Sequence, residues 1–307
     1  MLTLLTFADL MALSSEVLTD WKKALLLNLY NKAMIYLEKG YEELAMHPVS
    51  KNIERVSQSR GKPLSEKIIR DHLEKLPEQY IRVTSPGNIR IHISGIEHLK
   101  NRAVWASFHH MSDVSLLTVI TRDYPKALSD ICGSITSSDI NIVGAQIFTR
   151  NDGIIIDTFL VVDEHGNSLI APEIQRMFKN NIYSVVSGEA AVRELIKTHV
   201  YRWRRRKRKA IFSRPRIGIH NDISSRYTVI DVFAIDYTGL LYDVTSVLAS
   251  FNLNIHTAKI GTDEDQIADA FYVQKSGGEK IEDKKKLKKI TETLIETLNR
   301  SYKNKFK

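Results

Sequence analysis

A single cysteine, Cys132, in 307 residues leaves no internal disulfide and no cysteine-based zinc cage. Seven prolines and 14 glycines are too few for a collagen or a low-complexity linker. No apolar run approaches the ~18–20 residues that span a bilayer. The opening stretch MLTLLTFADLMAL is apolar, but it lacks a basic leader, carries Asp9 and ends at no small-residue cleavage site. A signal peptide is therefore not expected, and a cytoplasmic address is. What remains is 43% hydrophobic and 26% charged, a globular composition with room for two or three domains of ~100–200 residues.

Acid is missing from one segment. Between His199 and Arg216 stand nine Lys and Arg residues and no Asp or Glu, so removing that +9 from the net +8 leaves −1 for everything else. The high isoelectric point describes that segment alone. Tyr201, Trp203 and Phe212 are interleaved with the cations, a mixture that suits single-stranded nucleic acid. A solvated linker explains it more simply, and neither nucleic acid nor membrane is expected as a partner.

Residues 1–46 carry a helical stripe, with Trp21, Leu25, Leu29, Ala33 and Leu37 on one face. Residues 47–114 read as a linker: a short helix over 64–76 closed by Pro77, a turn at Ser85-Pro86-Gly87-Asn88, then irregular or short-strand material over 89–114. His109 and His110, adjacent and followed by Asp113, would point to opposite faces of a strand, so no metal site is expected there.

From Ser115 the order becomes β-α-β-β-α. Strand-like Leu116–Thr121 precedes a helical stripe of Leu128, Ile131, Cys132 and Ile135. Two further strands flank the hairpin signal Asn151-Asp152-Gly153, and a polar helix covers 172–197. The same order recurs over 228–300. At an offset of 113, residues 123–149 and 236–262 share 10 identities in 27 ungapped positions, among them Asp123/Asp236, Asn141/Asn254 and Ala145/Ala258. An offset of 112 then aligns Asp157, Phe159 and Val161 with Asp269, Phe271 and Val273. The expected fold is α+β: an N-terminal helical segment followed by two ferredoxin-like βαββα modules, over 115–198 and 227–307, joined by a basic linker over 199–226.

Such units pair to cover their sheets and edges. Asp123/Asp236 opens the turn into the first helix, and Asn141/Asn254 opens the second strand. Both are expected at one end of the sheet, beside helix N–H groups that can take a carboxylate. Asp123, Pro125 and Asn141 in one copy, with Asp236, Thr238, Gly239, Leu240 and Asn254 in the other, would then hold a free amino acid. Gly239 admits a ligand to the backbone, whereas its counterpart is Lys126. N-capping by the Asp and a turn role for the Asn are the competing structural readings. Cys132 lies on the core stripe and reads as a small buried side chain.

Both repeats resemble ACT domains, small regulatory modules that bind amino acids. The second, IDYTGLLYDVTSVLASFNLNIHTAKI, is similar to the D-x-P-G-L-L signature with Thr238 in place of proline, and ADAFYV continues the match. The first resembles the tandem C-terminal modules of the bifunctional protein-PII uridylyltransferase/uridylyl-removing enzymes through Ala145–Thr149, Asp152-Gly153 and Asp157–Phe159. LLTFADLMAL, the Trp21–Tyr30 stretch, Leu76-Pro77 and Tyr80 resemble the end of that family's HD hydrolase domain and the segment after it.

The resemblance implies glutamine as the ligand and control of nitrogen signalling, with the PII protein or separately encoded catalytic domains as partners. It also implies Mg²⁺ in the full-length enzymes, but no cofactor is expected for this chain. The Gly-Ser and paired-aspartate motif of nucleotidyl transfer is absent, and Asp9 matches only the last ligand of the HD metal site. No catalytic residue is expected. The alternatives are a complete uridylyltransferase whose N-terminal part lies outside this sequence, or a decayed remnant or nucleic-acid-binding derivative using the basic linker.

Overall fold

The computed structural model describes residues 49–59, 61, 63–163, 165–203, 214–235, 237, 239–260, 262–263 and 266–306. The helical stripe at Trp21–Leu37, Asp9 and most of the basic segment lie outside them.

Among the described residues four helices come first: α1 (Val49–Gln58), α2 (Glu66–Glu74), α3 (Glu78–Val83) and α4 (Pro86–His98). Ser65 and Ser85 accept hydrogen bonds from Ile68 N–H and Asn88 N–H, and Pro86 starts α4 where its missing N–H costs nothing. Residues expected to be irregular or strand-like from 89 onward are therefore helical as far as His98. The signal was weak because α4 buries only Ile89, His92, Ile93 and Gly95, a stripe in which a histidine and a glycine take apolar places.

Two sheets follow. In the first, β1 (Val104–His110), β2 (Ser115–Arg122), β3 (Ile140–Thr149) and β4 (Ile154–Asp163) stand in the antiparallel order β1-β2-β4-β3, with α5 (Ala127–Thr136) crossing from β2 to β3. Helices α6 (Pro172–Val186) and α7 (Val192–Trp203) come next; the expected single helix over 172–197 is broken where Gly188 turns at φ 76°. The second sheet repeats the plan with β5 (Arg216–His220), β6 (Thr228–Ile235), α8 (Leu240–Ser250), β7 (Leu253–Lys259), β8 (Thr262–Asp263), β9 (Gln266–Lys275) and α9 (Lys284–Phe306). Each repeat is thus β-β-α-β-β-α. Its first strand, β1 or β5, lies ahead of the boundaries at 115 and 227 and pairs outside the strand that opens the expected unit.

The two copies share one core. Helix α5 packs on α8, and the edge strand β3 runs beside β7. Leu117, Ile131 and Phe159 of the first copy join Ile230, Val244 and Phe271 of the second in a single buried cluster. The thiol of Cys132 meets the hydroxyl of Thr245, its counterpart at offset 113, which places a pseudo-two-fold axis between the helices. A Cβ on Gly133 would run into Val192 Cγ2 and stand 2.9 Å from the ring of Tyr242, so a side chain there would push both away. Cys132 is fully buried, and burial pushes its thiol well above the usual range, as befits a packing residue.

The other face of the first sheet carries the helices. Ile120, Phe148 and Ile156 pack against Ile69, Leu73, Tyr80 and Ile89, all buried. A polar chain crosses this apolar layer. Arg150 Nη1 lies 3.2 Å from His72 Nδ1, His72 Nε2 2.8 Å from the Tyr80 hydroxyl, that hydroxyl 2.7 Å from His92 Nδ1, and His92 Nε2 3.5 Å from Thr158 Oγ1. Arginine only donates, so His72 Nδ1 must accept and its proton sits on Nε2. Nε2 then donates to Tyr80, Tyr80 donates to His92, and His92 Nε2 points its proton at Thr158. Protonating either ring would oppose two donors. Burial, reinforced by the Arg150 charge, holds His72 down at about 3, and burial holds His92 at about 4.

Arg150 opens the β3–β4 turn, which sits where Asn151-Asp152-Gly153 predicted a hairpin. Its guanidinium grips Asp152 through two bonds of 2.9 and 2.6 Å, and Asn151 N–H donates to Lys75 O at 2.9 Å. On its other side Gly153 O accepts from Asp123 N–H at 2.8 Å. The turn therefore ties α2 to the loop after β2.

Candidate functional site

Repeat identity is a guide to function only after structural roles are removed. Tyr237 donates to Asp243 Oδ2 at 2.7 Å, and Tyr124 lies beside Asp130 at the same repeat positions, so these matched pairs fix the start of each crossover helix. Ser137 and Ser250 each bond back to the carbonyl three residues earlier in their own helix. Those three matched positions are architecture.

The turn into the helix differs. Lys126 and Gly239 occupy equivalent positions ahead of α5 and α8, both left-handed, at φ 75° and 94°. The N-cap positions are Lys126 and Gly239 themselves and neither caps its helix with a side chain, so Asp123 is not the N-cap of α5. The glycine leaves its side of the turn open, while the lysine places a side chain there.

Asp123 and Asn141 lie at opposite ends of their own sheet, not at one end. Arg122 pairs with Ile154 at one end of β4, and Asn141 pairs with Val162 at the other. A helix that crosses back before the next parallel strand makes this inevitable. The pseudo-two-fold axis restores the meeting across the interface. Ile140, Asn141 and Ile142 of the first copy face Tyr237, Gly239 and Leu240 of the second in a shallow cleft that opens to solvent. Asp236 and Thr238 lie outside the described residues.

The related corner of the interface joins Asp123 to the second copy. The register of β7 slips between Ile255 and Thr257, and the bulged residue there is His256. Its ring and the Asp123 carboxyl act on each other electrostatically, the imidazole drawing Asp123 down while partial burial raises it more. Asn254, exposed, opens β7 two residues earlier. The matching bulge in β3 carries Val143. The two corners therefore share geometry and differ in chemistry: Gly239 and Val143 in one, Lys126 and His256 in the other. Pro125 is exposed on the Asp123 turn.

Two residues not singled out from the sequence as site residues matter here. Asp269 lines the open cleft and is 2% exposed, and Asp157, its repeat counterpart, is 0% exposed. Neither Asp157 oxygen completes a hydrogen bond, although Phe148 N–H lies nearby. Burial, with Asp123 adding to it, pushes the Asp157 carboxyl well above the usual carboxylate range. The signal was in the sequence: an acid at matched positions two residues before a matched Phe on the core-facing row of each strand. Among the described residues no three side chains gather as metal ligands.

Residues 216–305 match the ACR9-like, ACT-like domain family. Over 97% of its length the chain is 32% identical to the bifunctional uridylyltransferase/uridylyl-removing enzyme of Gluconobacter oxydans strain 621H, covering 32% of that protein. It is a relative of these enzymes. Those of Bradyrhizobium diazoefficiens and Rhodopseudomonas palustris are 29% and 28% identical over 89% of the chain, with 30% of each covered. The chain thus spans about a third of the length of the curated relatives it matches. A solved structure of an unknown protein from Galdieria sulphuraria shares 12% identity over 61% of this chain and 92% of its own, with a TM-score of 0.19, too low to inform the fold. No helix among the described residues is long and apolar enough to cross a membrane.

Proposed function

We propose that this chain is a regulatory, amino-acid-sensing region equivalent to the C-terminal modules of the uridylyltransferase/uridylyl-removing enzymes, with glutamine as its ligand. The observation that carries the reading is the cleft shared by the two repeats, with Asn141 supplied by one and the Gly239–Leu240 turn by the other. A helix N-terminus favours a ligand carboxylate, Asp236 would take the ammonium, and Asn141 would hydrogen-bond either. A ligand touching both modules favours the arrangement in which both touch it, and so biases whatever is attached to them.

On this reading the chain alone catalyses neither addition nor removal of UMP. Metal-dependent chemistry belongs to the domains that the longer relatives carry, and the PII protein or separately encoded catalytic domains are the partners. Calorimetry of the full chain with glutamine is the test. Binding that Asp236→Ala weakens more than Asp123→Ala supports the open cleft as the main site. Equal effects would overturn that ranking, and no heat at millimolar glutamine, with no melting shift, would sink the sensor.

A further inference from the structure

Two helix ends bound the cleft, and they carry opposite partial charges. Leu240 opens α8 on one side, where the first N–H groups favour a carboxylate. Thr136 closes α5 on the other, where the last carbonyls favour a donor, and no basic residue stands in that turn to answer them. The carboxylate of an amino acid is thereby placed at the α8 end, and its side chain is left to be read at the Thr136 end.

Thr136 is 3% exposed, an interior side chain that lines the cleft with Ile140 and Asn141. A serine or threonine within a helix commonly bonds back to a carbonyl three or four residues earlier. Ser134 does so to Asp130 O at 2.7 Å, Ser137 to Ser134 O at 3.1 Å, and Thr245 of α8 to Leu241 O at 2.7 Å. The Thr136 hydroxyl does not. Among the described residues it has no hydrogen-bond partner, and it is not one of the polar atoms sealed inside the fold. The sliver of Thr136 that stays uncovered therefore includes the hydroxyl, and the opening it faces is the cleft. At offset 113 the second copy has Ala249, so the fold itself asks for no hydroxyl at this position.

We infer that Thr136 is a ligand contact that sets specificity: its hydroxyl, at the carboxyl end of α5, hydrogen-bonds an uncharged, donor-bearing side chain such as a carboxamide. This rests on the amino-acid-sensing reading of the same cleft. A carboxamide offers two N–H donors and one acceptor, so it can donate to the hydroxyl or accept its proton. A carboxylate brings only acceptors and a negative charge to the negative end of a helix. A hydrocarbon side chain covers the hydroxyl and leaves it unpaired.

The test is calorimetric titration of the full chain, and of Thr136→Val and Thr136→Ser, with glutamine, glutamate and norleucine near neutral pH. Valine keeps the branched shape and removes the hydroxyl; serine keeps the hydroxyl and removes the methyl. The wild type is expected to prefer glutamine over the other two at least tenfold. Thr136→Val is expected to weaken glutamine about tenfold without weakening norleucine, and Thr136→Ser to stay within about twofold of wild type. Wild-type affinity for glutamine in Thr136→Val, an equal loss in both variants, or no preference in the wild type overturns the assignment while leaving amino-acid sensing intact. No heat with any of these amino acids sinks both readings. Circular dichroism checks each fold, and Thr136→Ala, which copies the second repeat, replaces the valine variant if that fails to form.

Discussion

Replacing Tyr80 by phenylalanine removes one oxygen from the fully buried middle of the chain that runs from Arg150 to Thr158. The ring stays, so the edge contact with Phe148 at 5.3 Å between centroids is kept. What goes is the partner of two imidazole nitrogens, a donor on His72 and an acceptor on His92. Each stranded polar atom in a dry site costs about 1–3 kcal/mol, so the variant should lose about 2–6 kcal/mol. For a cooperative unit of ~150–250 residues each kcal/mol moves Tm by ~2–4 °C, which puts the fall at ~4–24 °C. Thermal melts followed by circular dichroism, repeated in urea, read it directly. A Tm within ~2 °C of wild type would mean that the hydroxyl bridges nothing, and the tautomer assignment built on Arg150 would fall with it.

Acidification should act through the same rings. Both are neutral in the fold, at about 3 and about 4, and titrate near 6.5 when unfolded. Below pH ~6.5 the unfolded chain binds protons that the native one refuses, so their stability is full above that value and falls by about 1.4 kcal/mol per pH unit for each ring. His92→Gln should flatten the pH dependence of the urea midpoint by one ring's share; an unchanged slope would contradict the depressed value. Asp157 runs the other way, because its raised value lets the native state keep a proton that the unfolded chain gives up. Asp157→Asn should therefore gain stability over wild type as pH rises, and a constant gap would show the carboxyl to be ionised in the fold. Gly239→Lys imitates the first repeat at a left-handed position, so it should cost only about 1 kcal/mol in a melt and yet abolish glutamine binding in calorimetry. Asn141→Ala should weaken glutamine about tenfold while Asn254→Ala leaves the open cleft nearly unaffected; the reverse order would assign binding to the Asp123 corner.

Periodicity and repetition made most of this fold legible. Strands β2, β3 and β4 and their counterparts announce themselves as apolar runs, and the stripes of α5 and α8 are the same pattern twice. The helix over 64–76 also stands where its spacing put it, as Glu66–Glu74. Strands β1 and β5 were harder to see. Val104–His110 is half-buried along most of its length and carries Ser and two His residues, so it has no clean alternation. Helix α4 was masked because two places on its apolar stripe are taken by Gly95 and by His92, which is buried in the Tyr80 chain. Within the site, the glycine at the helix turn and the asparagine ahead of the strand were readable one by one. Their meeting was not, because it depends on a symmetry between copies that spacing within one copy cannot express. The buried acids show the opposite fault: the match of Asp157 with Asp269 was plain in the alignment, but its meaning needed the knowledge that both sit in a dry interior.

The four-residue turn from Arg150 to Gly153 has one more consequence. It holds the backbone of Asp123 on one side and that of Lys75 on the other, and neither grip involves a long, compliant side chain. The short loop that faces the second copy is in this way mechanically spliced to α2. Any rocking of one copy over its twin must drag that helix along or tear two main-chain bonds. The helical layer thus works as the output shaft of the paired sheets rather than as a lid laid over one of them.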